Sequence, residues 1–167
     1  MAIENNKHLG VIESNVLASY ILYEYGPMSH LKLQKLIYLI EGYHLAYFDG
    51  ANIVNDEFQA WVHGPVSRKL YDELKDKSIL YGELKFTLDE GEEPPIDILK
   101  KSLTTEQIDL VDNVLSLYKD ESGIALEGIT HNQTPWINAR KGYDACDKCE
   151  NIINKNEMAK YFSALIK

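Results

Sequence analysis

Two cysteines and five histidines are the side chains whose types could bind a metal or act in nucleophilic or acid–base chemistry. Cys146 and Cys149 have the C-x-x-C spacing of zinc or redox sites, but zinc needs four ligands and no second C-x-x-C exists. His131 would have to be recruited across fourteen intervening residues. The surrounding sequence also lacks the βαβ pattern of a thioredoxin-type site. We therefore predict a cysteine-bearing loop that binds no metal.

The histidines occur in none of the spacings that are typical of enzymes. There is no H-E-x-x-H or H-x-x-H pair, no G-x-S-x-G elbow, no G-x-G-x-x-G and no P-loop. His44 falls within a strongly apolar helix, which predicts a hydrogen-bonded core residue rather than a ligand. The motifs therefore predict a protein that is not an enzyme and has no cofactor. A set of His131, Cys146 and Cys149 stays as the alternative for a metal-dependent regulator or enzyme.

Charge and hydropathy narrow the function classes. The 167 residues include 17 Lys and Arg against 26 Asp and Glu, a net charge of −9, which argues against direct nucleic-acid binding because that affinity comes largely from basic side chains. No stretch approaches 18 apolar residues, and residues 1–10 lack a basic region followed by an apolar one. We expect a cytoplasmic protein without membrane contact, folded as a single domain over 1–167.

The elements that must position these residues are mostly helical. Helical periodicity, Ser29 as a cap and a Thr104–Gln107 capping box predict six or seven helices, with the apolar segment at 29–47 in the centre. The regions are 10–25, 29–47, 65–74, 104–118 and 122–130, and two further helices begin near Thr134 and Asn154. An acidic run predicts an exposed loop at 88–96.

A change of hydrophobic period after residue 50 predicts one short hairpin. Phe58, Ala60 and Val62 alternate with polar or amphipathic neighbours as in a half-buried strand, and 51–54 could pair with it. Pro65 is then predicted as the first residue of the next helix. The predicted fold class is mainly α: a single-domain helical bundle with a small two-stranded β-hairpin.

Lysine and tyrosine supply candidates for partner contact. Lys35 lies among apolar residues and must reach water, pair with a carboxylate or meet a partner. Eleven of the 17 aromatic residues are tyrosines. Helical stripes predict core positions for Tyr20, Tyr43, Tyr118 and Tyr161, whereas location near loops and element ends favours interface positions for Tyr71, Tyr81 and Tyr143.

Three separated segments have the order and spacing of motifs in a known family. They are Leu33-Gln34-Lys35-Leu36-Ile37-Tyr38, then Ala60-Trp61-Val62-His63-Gly64-Pro65-Val66, and finally Thr130-His131 with Pro135-Trp136. Together they resemble the SocA-like antitoxin domain, also called the Panacea domain, which is common on prophages and other mobile elements. The middle segment is the most specific, because a strand that ends in Trp and turns through Gly-Pro into a helix is a compound signal.

The resemblance implies a phage-associated antitoxin of a type II toxin–antitoxin system, which neutralises its toxin by direct protein–protein binding. It implies a mostly helical fold with a small hairpin and no enzymatic activity. The family pattern implies an acidic residue near His131. This chain departs from the pattern there, because Asn132-Gln133-Thr134 follow the histidine. The cysteine pair is also outside the pattern.

The motif residues divide into scaffold and contact candidates. Because Gly, Pro and Trp at element junctions usually serve the fold, we predict structural roles for Trp61, Gly64, Pro65, Pro135 and Trp136. Candidates for partner contact are Lys35, Tyr38, Tyr71 and His131. The expected partner is a basic cognate toxin, since the chain is acidic. A protease adaptor is an alternative that would use the same kind of surface.

Overall fold

The structure is a computed structural model, and it describes residues 8–76 and 82–166. These ranges contain eight helices and four short strands. In chain order they are α1 (Ser14–Tyr25), β1 (Met28–Ser29), α2 (His30–Tyr47), β2 (Phe58–Trp61), β3 (Gly64–Ser67), α3 (Arg68–Leu74), β4 (Glu83–Leu84), α4 (Pro95–Ser102), α5 (Thr105–Tyr118), α6 (Gly123–His131), α7 (Thr134–Ala139) and α8 (Lys155–Leu165). The mainly α prediction with a small hairpin is confirmed.

Helix α2 is the centre of the fold, as its apolar sequence predicts. The Ser29 hydroxyl accepts a hydrogen bond from the Lys32 backbone N–H and caps its first turn. Most of its side chains are buried, and it packs against α8, α5, α6 and β3. The predicted capping box of α5 is also present: the Thr104 hydroxyl accepts from the Gln107 N–H, and the Gln107 side chain accepts from the Thr104 N–H.

The hairpin exists, but its predicted second strand is wrong. β2 pairs antiparallel with β3, with Phe58 opposite Ser67 and Trp61 opposite Gly64. Residues 51–54 do not pair with β2; Val54 instead forms a single parallel bridge with Ile12. Residues 65–67, predicted as the start of a helix, thus belong to a strand, and α3 begins only at Arg68.

Pro65 is therefore a strand residue opposite Ala60 rather than the first residue of a helix. Proline has no backbone N–H, so a strand can hold it only where no ladder hydrogen bond is needed. The position of Pro65 meets this condition, because the backbone of Ala60 opposite it bonds elsewhere. The Ala60 N–H donates to the Asn151 carbonyl (2.8 Å), and the Ala60 carbonyl accepts from Arg140 (2.8 Å). Pro65 is therefore part of the hairpin and does not begin a helix.

The predicted acidic loop at 88–96 ends earlier than expected. Residues 89–93 are exposed, whereas Pro95 is buried and begins α4, a helix that the sequence analysis missed. Proline suits the first turn of a helix because the N–H that it lacks would have no helical acceptor there. Leu99 anchors α4 in the core.

Two buried polar side chains of α2, His44 and Glu41, are hydrogen-bonded within the core. His44 Nδ1 donates to the Ala51 carbonyl (2.7 Å), and its Nε2 accepts from Gln107 Nε2 (3.0 Å), which confirms it as a hydrogen-bonded core residue. Glu41 accepts from the Lys155 ammonium (2.7 Å) and from the Ile53 N–H (2.8 Å). These bonds tie 51–54 to α2 and α8. In the two described ranges, no helix combines the length and hydropathy that crossing a bilayer requires.

Candidate functional site

The β2–β3 turn is held by side chains that bind its backbone carbonyls. Lys35 of α2 donates to the Pro65 carbonyl (2.8 Å), and His131 of α6 donates to the Val62 carbonyl (2.8 Å). Trp136 of α7 donates to the Trp61 carbonyl (2.9 Å). We call these three residues, together with Arg140 on the Ala60 carbonyl, the hairpin clamp. The three motif segments of the sequence therefore converge on one structural feature.

Lys35 is buried completely, and its ammonium forms no direct ion pair with any side chain in the described ranges. Its ammonium lies under the turn, where burial lowers the pKa to about 7, although the negative charge of Glu127 acts in the opposite direction. The sequence predicted that this lysine would reach water, pair with a carboxylate or meet a partner. Its ammonium instead donates to a backbone carbonyl of the hairpin. The side chain connects the central helix to the hairpin.

Gly64 is the point where the turn touches Lys35 and α6. Its φ is +98°, a backbone conformation that side chains disfavour. A Cβ added there would lie 2.7 Å from Lys35 Cε and 2.8 Å from Thr130 Oγ1. Glycine is therefore needed both for the backbone conformation and for the close approach.

A carboxylate lies beside His131, although Asn132-Gln133-Thr134 after it supply none. Glu127 lies one helical turn earlier on α6, and its Oε1 is 2.9 Å from His63 Nδ1 and 3.9 Å from His131 Nε2. Burial lowers the pKa of His131, while its bond to Val62 and the charge of Glu127 oppose the shift. The i, i+4 spacing of Glu127 and His131 was the signal that could have revealed this pair.

The aromatic motif residues lie around the same turn. The rings of His131 and Trp136 stack with centroids 4.3 Å apart, and the Arg140 guanidinium lies 5.1 Å from the Trp136 ring centre. Arg140 also donates to the carbonyls of Asp144 and Asp147. It therefore links the hairpin to the loop before Cys149, a role that the sequence analysis missed because no motif contained it.

A half-buried face lies beside the turn. The Tyr71 ring stacks on His30 at 5.3 Å and meets Trp61 edge to face at 5.1 Å. The Arg68 guanidinium lies over the Trp61 ring, 4.7 Å from its centre, and forms an ion pair with Glu150. A shallow depression of about 310 Å³ opens among these groups.

The structure separates the contact candidates into two groups. Lys35 and Tyr38 have no exposed surface, so neither can touch a partner in this conformation. Tyr71 and His131 are half-buried beside the turn, and Tyr143 is exposed in the loop after α7. Tyr81 lies outside the described residues. Of the scaffold candidates, Trp61, Gly64, Pro65 and Trp136 contribute to the hairpin, and Pro135 is buried in the first turn of α7.

The cysteines do not join a metal-binding cluster. Cys146 is exposed and Cys149 is buried, and both are free thiols. Across 8–76 and 82–166, no group of three or more His, Cys, Asp or Glu side chains is close enough together to hold a metal ion. The alternative set of His131, Cys146 and Cys149 is not brought together.

Comparison with known families agrees with the motif geometry. Residues 33–137 match the family described as antitoxin SocA-like, Panacea domain. The chain belongs to this family. The matched region of this Panacea domain starts on α2 at Leu33 and ends on α7 at Ile137, so it includes three residues of the hairpin clamp and excludes Arg140. No curated protein and no solved structure matches the chain. Membership supports an antitoxin role in general and favours a non-enzymatic one.

Proposed function

We propose that this Panacea-domain protein is the antitoxin of a type II toxin–antitoxin system, acting in the cytoplasm by binding its toxin directly. The observation that carries the proposal is the family match over 33–137, which includes Lys35, His131 and Trp136 of the hairpin clamp. Their hydrogen bonds hold the β2–β3 hairpin in one conformation, as a preformed binding surface requires. The clamp supports binding because a preorganised surface loses less conformational entropy on association.

The face beside the turn supplies the chemistry that protein interfaces favour. Trp61, Tyr71 and Arg68 belong to the residue types that most often dominate binding energy, and here they contact one another before any partner arrives. The partner in this proposal is a basic toxin, since the net charge of −9 would speed its association and favour the complex.

Co-expression tests this function directly. The gene that neighbours this one is expressed alone and together with the Panacea protein, and growth is measured. We expect the neighbour to stop growth alone and growth to return on co-expression. If the cells die equally in both cases, the proposal fails.

Two substitutions test the face beside the turn. Tyr71→Ala removes the ring between His30 and Trp61 and should weaken neutralisation. Tyr23→Ala is the control, since Tyr23 lies on α1, is 42% exposed and also meets another ring, Phe86, edge to face. Circular dichroism and thermal unfolding confirm that both variants fold. Equal neutralisation by the two variants would remove Tyr71 from the binding surface.

A further inference from the structure

A second surface, which contains no residue of the hairpin clamp, lies where the end of α2 meets α5. It is a groove of about 580 Å³ that we call the α2–α5 groove. The lining residues are Tyr43, Tyr47, Phe48, Asp49, Glu106, Asp109, Leu110, Asn113, Val114, Leu117 and Ile166. Most of the lining is apolar, and exposed apolar patches are surfaces where proteins often bind partners.

The apolar side chains of the groove are unusually open to solvent. The exposed fraction is 65% for Tyr47, 67% for Leu117 and 42% for Ile166. Leu110 and Val114, by contrast, are buried and form the floor. Covering the exposed residues would remove apolar surface from water, which favours association.

The charges at the margin restrict what can cover this groove. Asp49, Glu106 and Asp109 line it, and no Lys or Arg among the residues that the structure describes does. Within the described part of the chain, none of these three carboxylates is in an ion pair. They are therefore available to a positively charged partner.

We infer that the α2–α5 groove binds an amphipathic helix with an apolar face and basic flanks, contributed by the toxin. This inference rests on the proposed function and adds to it a second contact. A helix laid in an apolar groove with charges of the opposite sign at the margins is a recurrent mode of peptide recognition. A second copy of this chain is a poorer occupant, because two grooves placed together would bring acidic margins against each other.

A defined probe tests the groove without the toxin. The probe is a synthetic helix of about five turns, or ~18 residues, with leucine on one face and lysine on the other. Its counterpart carries glutamate in place of lysine. Fluorescence anisotropy should show binding of the lysine peptide that weakens as salt is added, and much weaker binding of the glutamate peptide. Equal binding of the two peptides would overturn the inference.

Matched variants locate the binding. Leu117→Asp places a charge in the groove, and Ile124→Asp makes the same type of change at a residue on α6 that is 70% exposed. Both residues are already exposed, so the fold should tolerate them. Leu117→Asp should weaken the lysine peptide at least about tenfold, and Ile124→Asp should leave it unchanged. Equal affinity of Leu117→Asp and the wild-type protein would overturn the inference.

A charge reversal gives an independent arm. Glu106→Lys with Asp109→Lys should weaken binding, whereas Asp89→Lys with Glu90→Lys changes the net charge equally in the exposed loop and should weaken it less. Equal effects of the two pairs would show that only net charge matters and would contradict the groove.

The toxin itself completes the test. If the wild-type protein binds the product of the neighbouring gene and Leu117→Asp binds it at least about tenfold more weakly, the groove is a toxin contact. If both bind equally, the groove inference fails while the proposed function stands. If neither binds, the proposed function fails, and the assignment of the groove to the toxin fails with it. A wild-type dimer that Leu117→Asp converts to a monomer would identify a second copy as the occupant and overturn the inference.

Discussion

Gly64→Ala tests whether the hairpin clamp depends on the close approach of the turn to α2 and α6. The added methyl group would lie 2.7 Å from Lys35 Cε and 2.8 Å from Thr130 Oγ1. Neither atom can move away freely, because the Lys35 ammonium is bonded to the Pro65 carbonyl and the Thr130 hydroxyl to the Glu127 carbonyl. The turn itself must therefore shift.

The expected cost has two parts. The positive φ of +98° costs an alanine about 1–2 kcal/mol, and overpacking a buried site costs a further ~1–3 kcal/mol. Gly50→Ala is the matched control, since Gly50 has a φ of +88° and an added Cβ there would meet nothing within 4 Å. Gly64→Ala should thus lower the free energy of unfolding by about 2–5 kcal/mol and Gly50→Ala by about 1–2 kcal/mol.

Denaturant unfolding measures both variants, and a double variant identifies the clash. In a Lys35→Ala background the methyl group would no longer meet Cε, so Gly64→Ala should cost less there than in the wild-type protein. A cost at Gly64 within about 0.5 kcal/mol of that at Gly50 would refute the close approach. Strict additivity of Gly64→Ala and Lys35→Ala would refute the contact with Lys35.

Three further predictions concern buried charged and polar groups. Burial lowers the pKa of Lys35 from 10.5 to about 7. Between these two pH values the unfolded chain binds more protons than the folded chain, so the free energy of unfolding should rise with pH. Comparison by unfolding at pH 7.5 and 9.5 should show that Lys35→Met removes about 2–3 kcal/mol of the rise, and an unchanged slope would count against a buried ammonium. Burial lowers the pKa of His44 to about 4, so stability should fall as the pH drops from 6.5 to 4, and His44→Leu should reduce this slope by up to about 1.4 kcal/mol per pH unit in acid unfolding curves. Arg140→Lys cannot reproduce three carbonyl contacts and should lower the free energy of unfolding by about 2–4 kcal/mol, whereas Lys141→Ala, next to it and exposed, should change it little in the same assay.

Local sequence signals predicted much of the helical framework. The Ser29 cap, the Thr104–Gln107 capping box and the apolar stripe of α2 are all present, because each depends on residues within one or two turns of one helix. Helix α4 was missed because the acidic run before it was interpreted as one exposed loop through residue 96, although Pro95 is a typical residue of a first helical turn.

Long-range pairing could not be predicted in the same way. Pro65 is a favourable first helical residue by local preference, but its place in β3 depends on Ala60 bonding to Arg140 and Asn151, residues far away in sequence. The burial of Lys35 depends equally on the Pro65 carbonyl, thirty residues away. The family motifs identified the members of the site, whereas only the structure revealed that they meet at one turn.

Titration calorimetry of this protein with an inactivated form of the neighbouring gene's product tests the central claim most directly. The account predicts saturable binding at a fixed stoichiometry, with a Kd below about 1 μM that weakens as salt is raised. Absence of heat, together with separate elution of the two proteins in size-exclusion chromatography, would contradict neutralisation by direct binding.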